Sequence, residues 1–189
     1  KLYVAYLQKA REALGADIGK ISFLAALGKL REICVDASSF FEGFDDESSK
    51  LSLALNLIQE SIENGHKVLV FSFFSSVLPK IKNKLKNEYN ITSKIIDGST
   101  KSNDRVSLAN DFNSPSGVKV MLVSLKAGGT GLNLIGADTV VHLDPWWNFA
   151  AEEQATDRAY RIGQTKPVTV FKLVCHDSVE ERVIDLQNA

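Results

Sequence analysis

Five short apolar runs, set at nearly regular intervals, constrain the fold of this chain more than any other feature. They are KVLVFSF (67–73), SKIID (93–97), VKVMLVSL (118–125), DTVVHLD (138–144) and VTVFKLV (168–174). Rich in β-branched residues and bounded by Gly, Pro, Asn, Asp or Ser, they read as strands. KVLVFSF is apolar almost without alternation, as expected of a strand covered on both faces. Between the runs the period changes to that of a helix. Leu51, Leu55, Ile58 and Ile62 precede the first strand, and Val77, Leu78, Ile81 and Leu85 follow it. Residues 102–112 form a third helical segment, ending at Asn113, Pro115 and Gly117. Strands alternating with helices at this rhythm predict an α/β fold: an open parallel sheet with helices on both faces.

A helical lead-in precedes that pattern. Tyr3, Tyr6, Leu7, Ala10 and Leu14 share one face before Gly15, and Ile21, Leu24, Leu27, Leu30 and Ile33 continue the period. FFEGFDDESSK then interrupts it. The expected division is a lead-in over 1–47, an α/β lobe over 48–176 and a closing helix over 177–189. That last helix opens with Ser178 and Glu181 at capping-box spacing. The chain has 189 residues and a net charge of −1, so any contact with nucleic acid must come from a local patch. Cys34 and Cys175 lie far apart in sequence, which points to a reduced pair in a cytosolic protein and not to a disulfide framework or a metal site. No segment reaches the roughly 20 apolar residues of a membrane helix, and no membrane partner is expected. The chain starts at Lys1 instead of Met, as a piece of a longer protein would.

Ligands of an open parallel sheet meet the loops beyond the carboxyl ends of its strands. Three loops here are unusual: IDGSTKSNDR (96–105), SLKAGGTGLNL (124–134) and DPWWNF (144–149). KAGGTG has the glycines of a phosphate cradle, but Lys126 precedes them and no G-K-[ST] follows. An acidic box for a metal ion is also missing, so a plain tight turn stays open as a reading. The two tryptophans of DPWWNF point opposite ways if extended, one into the core and one accessible for stacking. Lysines at 80, 82, 84 and 86 scatter around a helix and read as a solvated face. In EEQATDRAYRIGQ (152–164), Gln154, Arg158 and Arg161 are spaced to share one helix face, with Ala151, Ala155, Ala159 and Ile162 as an adjoining seam. Those arginines are either fingers for a transferring phosphoryl group or members of a salt-bridged surface helix with Glu152, Glu153 and Asp157. Spacing alone does not choose.

Taken together, SLKAGGTGLNL, HLDPWWN and EQATDRAYRIGQ resemble the carboxyl-terminal motor lobe of SWI/SNF-type DNA translocases, in helicase superfamily two. KVLVFSFF and IIDGSTKSNDR are similar to the preceding motifs of that lobe, and LGKLREICVD to its helical lead-in, so the resemblance runs from Leu27 to Leu186. The wording of SLKAGG and DPWWN is that of bacterial or archaeal members, which implies a cytoplasmic, nucleoid-associated protein, or a nuclear one in a eukaryote. The resemblance implies a RecA-like lobe that closes ATP against an amino-terminal lobe, the latter holding the phosphates and Mg²⁺. Arg158 and Arg161 would then meet the γ-phosphate, and Gln154 would orient the nucleotide or the attacking water. Gly128, Gly129 and Gly131 would shape the loop coupling ATP to DNA, with Asp144 at the hinge of the next loop. Ser99, Ser124 and Lys126 would touch phosphates of double-stranded DNA, and Trp147 would reach towards its minor groove. The implied activity is a DNA-dependent ATPase that translocates on duplex DNA, with this chain inactive alone. A non-catalytic DNA- or protein-binding module is the alternative. A self-sufficient kinase or GTPase fails for want of a lysine after the glycines. Three positions depart from the family pattern: Phe149 replaces a usual Pro, Phe73 a common polar residue, and Leu125 a Thr of eukaryotic members.

Overall fold

A computed structural model of the chain describes residues 2–14, 20–44, 46, 48–127 and 131–188, without the side chains of 13, 14 and 20–22. The expectations for Gly15 and for the side chains of Leu14 and Ile21 lie outside the described residues. Each apolar run forms a strand: β1 (Val68–Ser72), β2 (Ser93–Ile96), β3 (Val120–Ser124), β4 (Thr139–His142) and β5 (Thr169–Lys172). All are parallel, in the order β2-β3-β1-β4-β5. The central place of β1 accounts for its unbroken apolar run, since all five of its residues are buried. β5 lies at an edge, and there Thr169, Val170 and Lys172 are exposed.

The helices are α1 (Leu2–Leu14), α2 (Lys20–Asp36), α3 (Ser49–Glu63), α4 (Leu78–Tyr89), α5 (Ser102–Asn113), α6 (Phe149–Thr156) and α7 (Val179–Gln187). Successive side chains of a strand point to opposite faces, so the sheet divides two cores. Val68, Val70, Val120, Leu122 and Val141 pack with Leu55 and Ile58 of α3 and Ile81 and Leu85 of α4. Leu69, Phe71, Met121 and Val123 pack on the other side with Phe112 of α5, Leu134 and Ala155 of α6. Among the described residues, no helix is long and apolar enough to cross a membrane.

Buried polar contacts fasten the lead-in to the lobe. The Lys80 ammonium lies 2.7 Å from the buried carboxylate of Asp36, so this member of the lysine run is not merely solvated. Lys84 pairs along α4 with Glu88 at 3.1 Å. Tyr3 of α1 accepts a hydrogen bond from the Val179 amide at the start of α7, at 2.7 Å. Arg31 of α2 reaches Asp144, two residues beyond β4, at 3.4 Å. Asp144 has no exposed surface. It accepts from the Ser72 hydroxyl at 2.6 Å and from the Phe73 amide at 3.1 Å. Burial pushes its carboxyl up to about 6, with Ser72 and Arg31 pulling against it.

An acid raised in this way keeps a proton that the unfolded chain has already lost between pH 3.8 and about 6. Its contribution to stability therefore falls as pH rises through that window and levels off above it. A displacement of two units corresponds to about 3 kcal/mol. In urea unfolding between pH 4 and 7, wild-type stability relative to Asp144→Asn should fall by about that much, and a constant difference would contradict it.

Candidate functional site

The carboxyl ends of β1, β3 and β4 lie side by side, with Ser72 in register with Ser124 and Phe71 with His142. Beyond them the chain departs from one expectation. The spacing predicts a single helix carrying Gln154, Arg158 and Arg161, but α6 ends at Thr156 and 157–163 form successive turns. Long-range hydrogen bonds override the local period. The Arg158 carbonyl accepts from the Leu134 amide at 2.9 Å, drawing the chain onto the 131–137 segment. Gln164 clamps it there: its Nε2 donates to the carbonyls of Ala137 at 2.7 Å, Ile135 at 3.0 Å and Ala159 at 3.2 Å. Its Oε1 accepts from the Lys166 amide at 3.0 Å. Gly163 sits at φ +107°, a conformation that strains any residue with a Cβ, although the nearest atom such a Cβ would meet, the Ile135 Cδ1 at 3.0 Å, is the end of a side chain that can shift. Of the expected seam, Ala155 and Ala159 are buried in the core. Ile162, beyond the end of the helix, is fully exposed.

The two arginines consequently occupy different surroundings. Arg158 is 2% exposed. Its Nη1 donates to the Leu132 carbonyl at 3.3 Å, and its buried Nε has no partner. Arg161 is exposed and donates to the neighbouring Gly131 carbonyl at 3.3 Å. Burial lowers the Arg158 pKa, and the adjacent charge of Arg161 lowers it further, although a guanidinium remains charged. The salt-bridged alternative does not describe this pair. Glu152 is engaged by the Lys172 ammonium at 2.5 Å and the Trp146 amide at 2.8 Å. Among the described residues no carboxylate pairs with either arginine. A buried cation without a counter-ion is costly, and a second cation beside it adds to the cost. Such an arrangement is suited to receive an anion.

The remaining predicted residues fall into three groups. Gly128 and Gly129 lie outside the described residues, while Gly131 adopts φ +69° and offers its carbonyl to Arg161. Gln154 is exposed on α6 without a hydrogen-bond partner among the described residues. Ser124, the last residue of β3, is buried; its hydroxyl is not presented for the contact with DNA that the resemblance implies. Ser99 is exposed on a tight turn, its amide and hydroxyl both donating to Asp97 Oδ1 at 2.9 and 2.6 Å. Lys126 is exposed with its ammonium 4.3 Å from the Phe73 ring centroid. The tryptophans differ in exposure, but neither enters the core: Trp146 is half-buried with its ring tilted against Phe73 at 4.0 Å, whereas Trp147 is 42% exposed. Asn148 caps α6 by accepting from the Ala151 amide at 3.2 Å, so Phe149 leaves the helix start intact.

Sequence reasoning missed Arg31, Ser72 and Gln164. The Arg31 guanidinium lies 5.1–6.0 Å from the ring centroids of Phe73, Phe74, Trp146 and Trp147. It also donates to the Pro145 carbonyl at 2.8 Å. Phe73, in place of a polar residue, thus serves as a platform shared by Arg31, Trp146 and Lys126. Gln164 carried one signal: it closes the R-I-G-Q run next to a glycine.

Residues 49–163 match the helicase conserved C-terminal domain model. An uncharacterized ATP-dependent helicase of Mycoplasma genitalium is 42% identical over 168 residues, covering 89% of this chain and 16% of that protein. The chromatin-remodeling ATPase INO80 of Drosophila melanogaster is 37% identical over 138 residues, 73% of this chain and 8% of that protein. Among solved structures, the Sulfolobus solfataricus SWI2/SNF2 ATPase core in complex with dsDNA superposes with a TM-score of 0.84 at 30% identity. It covers 99% of this chain and 40% of that one. The chain thus spans well under a fifth of these curated relatives.

Stability separates the two buried arginines. Arg158→Met removes an uncompensated charge and should leave unfolding free energy unchanged or raise it by about 1–4 kcal/mol. Arg31→Met strands the Asp144 carboxylate and should cost about 3 kcal/mol. Chemical denaturation of both variants checks this, and a large loss at Arg158 would show that it is structural.

Proposed function

This chain belongs to the helicase conserved C-terminal domain family, in its SWI2/SNF2 branch, and on that premise we propose that it is one half of a DNA-dependent ATPase that translocates on duplex DNA. The observation that carries the reading is Arg158, buried and charged with no counter-ion among the described residues, beside the exposed Arg161. A γ-phosphate brought up by a second lobe supplies the missing anion. Charge developing on the transferring phosphoryl group is then met by two guanidinium groups already in place, an effect of about 10³–10⁵ in rate where such fingers are known. The phosphate loop and the Mg²⁺ site belong to that other lobe; the sequence here lacks G-K-[ST]. Gln154, exposed on α6 and without a side-chain hydrogen bond among the described residues, would orient nucleotide or water.

Nucleotide and DNA are coupled through the 131–137 segment, which is hydrogen-bonded to Arg158, Arg161 and Gln164. At the same end of the sheet, Lys126 and Trp147 share the Phe73–Arg31 cluster and face solvent, and Ser99 stands beyond β2. Backbone contacts of this kind predict weak sequence preference. The double-stranded DNA held by the Sulfolobus solfataricus core supports the choice of partner. The Mycoplasma genitalium relative fits a bacterial setting.

ATP turnover of the two-lobed parent tests the proposal. Duplex DNA should stimulate turnover, and Arg158→Ala should lower it by about 10³-fold or more while ATP still binds. This chain alone should be silent. A parent whose turnover is indifferent to Arg158→Ala would favour the non-catalytic binding module.

A further inference from the structure

Two cysteines separated by 141 residues meet in the fold. Cys34, in the last turn of α2, is buried, and Cys175, three residues beyond β5, is half-buried. Both line a surface pocket of about 570 Å³. The Cys175 sulfur lies 3.3 Å from the Cys34 carbonyl oxygen. The two sulfurs and a Glu180 carboxylate oxygen all lie within 4.8 Å of one another. Both thiols are free, as the sequence suggests, but residues far apart in the chain are neighbours in space.

Their surroundings make the two sulfurs unequal. Lys50 enters from α3, 2.5 Å from Glu180, and donates to the Leu173 carbonyl at 3.1 Å. The start of α7 abuts the pair: Ser178 caps its first turn and donates to the Cys175 carbonyl at 2.6 Å. Contact with Cys34, aided by the charge of Lys50, holds the Cys175 thiol below its usual value, against the effect of burial. The same contact, together with burial, pushes Cys34 up. A more accessible, more acidic thiol beside a buried, less acidic one is the asymmetry of an attacking and a resolving sulfur.

We propose that Cys34 and Cys175 form a reversible thiol–disulfide pair that reacts with low-molecular-weight disulfides entering this pocket. The Cys175 thiolate attacks one sulfur of the small disulfide, forming a mixed disulfide and expelling one thiolate. Cys34 gives its proton to that thiolate, and its sulfur attacks the Cys175 sulfur. The Cys34–Cys175 bond forms as the second small thiolate leaves and takes a proton from solvent. Two protein thiols are oxidised by two electrons, and the small disulfide is reduced to two thiols. The bond joins α2 to the segment between β5 and α7. Cys34 stands one turn from Arg31, so the crosslink also fixes the helix that holds Asp144 and Pro145. The same three ligand atoms could suit a soft divalent cation, but Lys50 already neutralises Glu180, which favours the disulfide.

The test is to treat the intact protein with oxidised glutathione, alkylate the remaining thiols and map the peptides by mass. Cys34 and Cys175 should leave the alkylated pool together, joined by a bond that dithiothreitol reverses. Cys34→Ser should accumulate glutathione on Cys175, and Cys175→Ser should leave Cys34 unmodified. If both wild-type thiols remain alkylated after oxidation, the proposal is overturned. Stoichiometric zinc retained by the wild type and lost from Cys34→Ser would overturn it as well, in favour of a metal site. None of these readouts depends on ATP turnover.

Discussion

A single buried carboxylate organises the end of the molecule where the candidate site lies. Asp144 draws together the end of β1 through Ser72 and Phe73, the loop after β4, and α2 through Arg31. Burial by itself drives an acid towards neutrality; the donors around Asp144 limit that drift to about 6. From this junction the rest follows. Arg31, fixed by Asp144 and Pro145, gives four aromatic rings a common cation to pack around. Trp146 is thereby held against Phe73, and Trp147 is left facing outward. A lead-in helix that looks peripheral in sequence is in this way part of the scaffold of the site.

Arg31 and Arg158 are almost equally buried, at 3% and 2% exposure, yet electrostatically opposite. Arg31 has a carboxylate, a carbonyl and aromatic faces. Arg158 has one carbonyl, a second arginine nearby and an unsatisfied Nε. A fold selected only for stability has no reason to keep the latter, because an apolar residue of similar volume would serve as well or better. The strain becomes intelligible when its relief comes from outside the chain, in the form of an anion. Rigid anchoring of the loop by Gln164 fits the same logic: the desolvated charge is held ready, so little reorganisation is needed when the anion arrives.

Much of the fold was legible in the sequence because strand burial leaves a direct signature. The unbroken apolar run of 67–73 marked a strand covered on both faces, and β1 is buried along its whole length; the edge position of β5 left no comparable sign. The helix over 152–164 was misread for a definable reason. Local spacing allowed a helix through Ile162, but bonds from Leu134 and Gln164 to residues 20 or more positions away terminate it at Thr156. The residue types at the candidate site were readable, since R-x-x-R-I-G-Q is unusual wherever it occurs. Their division into one buried and one exposed arginine was not, because burial depends on which distant loop covers them. The approach of Cys34 to Cys175 and the cage around Arg31 were illegible for the same reason: Cys175 lies 141 residues from Cys34, and the partners of Arg31 come from two distant segments, Phe73–Phe74 and Asp144–Trp147.

The central claim is that Arg158 and Arg161 await a phosphate held by another lobe. Hydrogen exchange of the two-lobed parent, compared with ADP and with ADP–beryllium fluoride, tests it most directly. The account predicts that the fluoride complex, a mimic of the γ-phosphate state, protects amides in 131–137 and 157–164 well beyond ADP alone. It also predicts that Arg158→Ala removes the added protection. Equal exchange of these segments in both nucleotide states would contradict it.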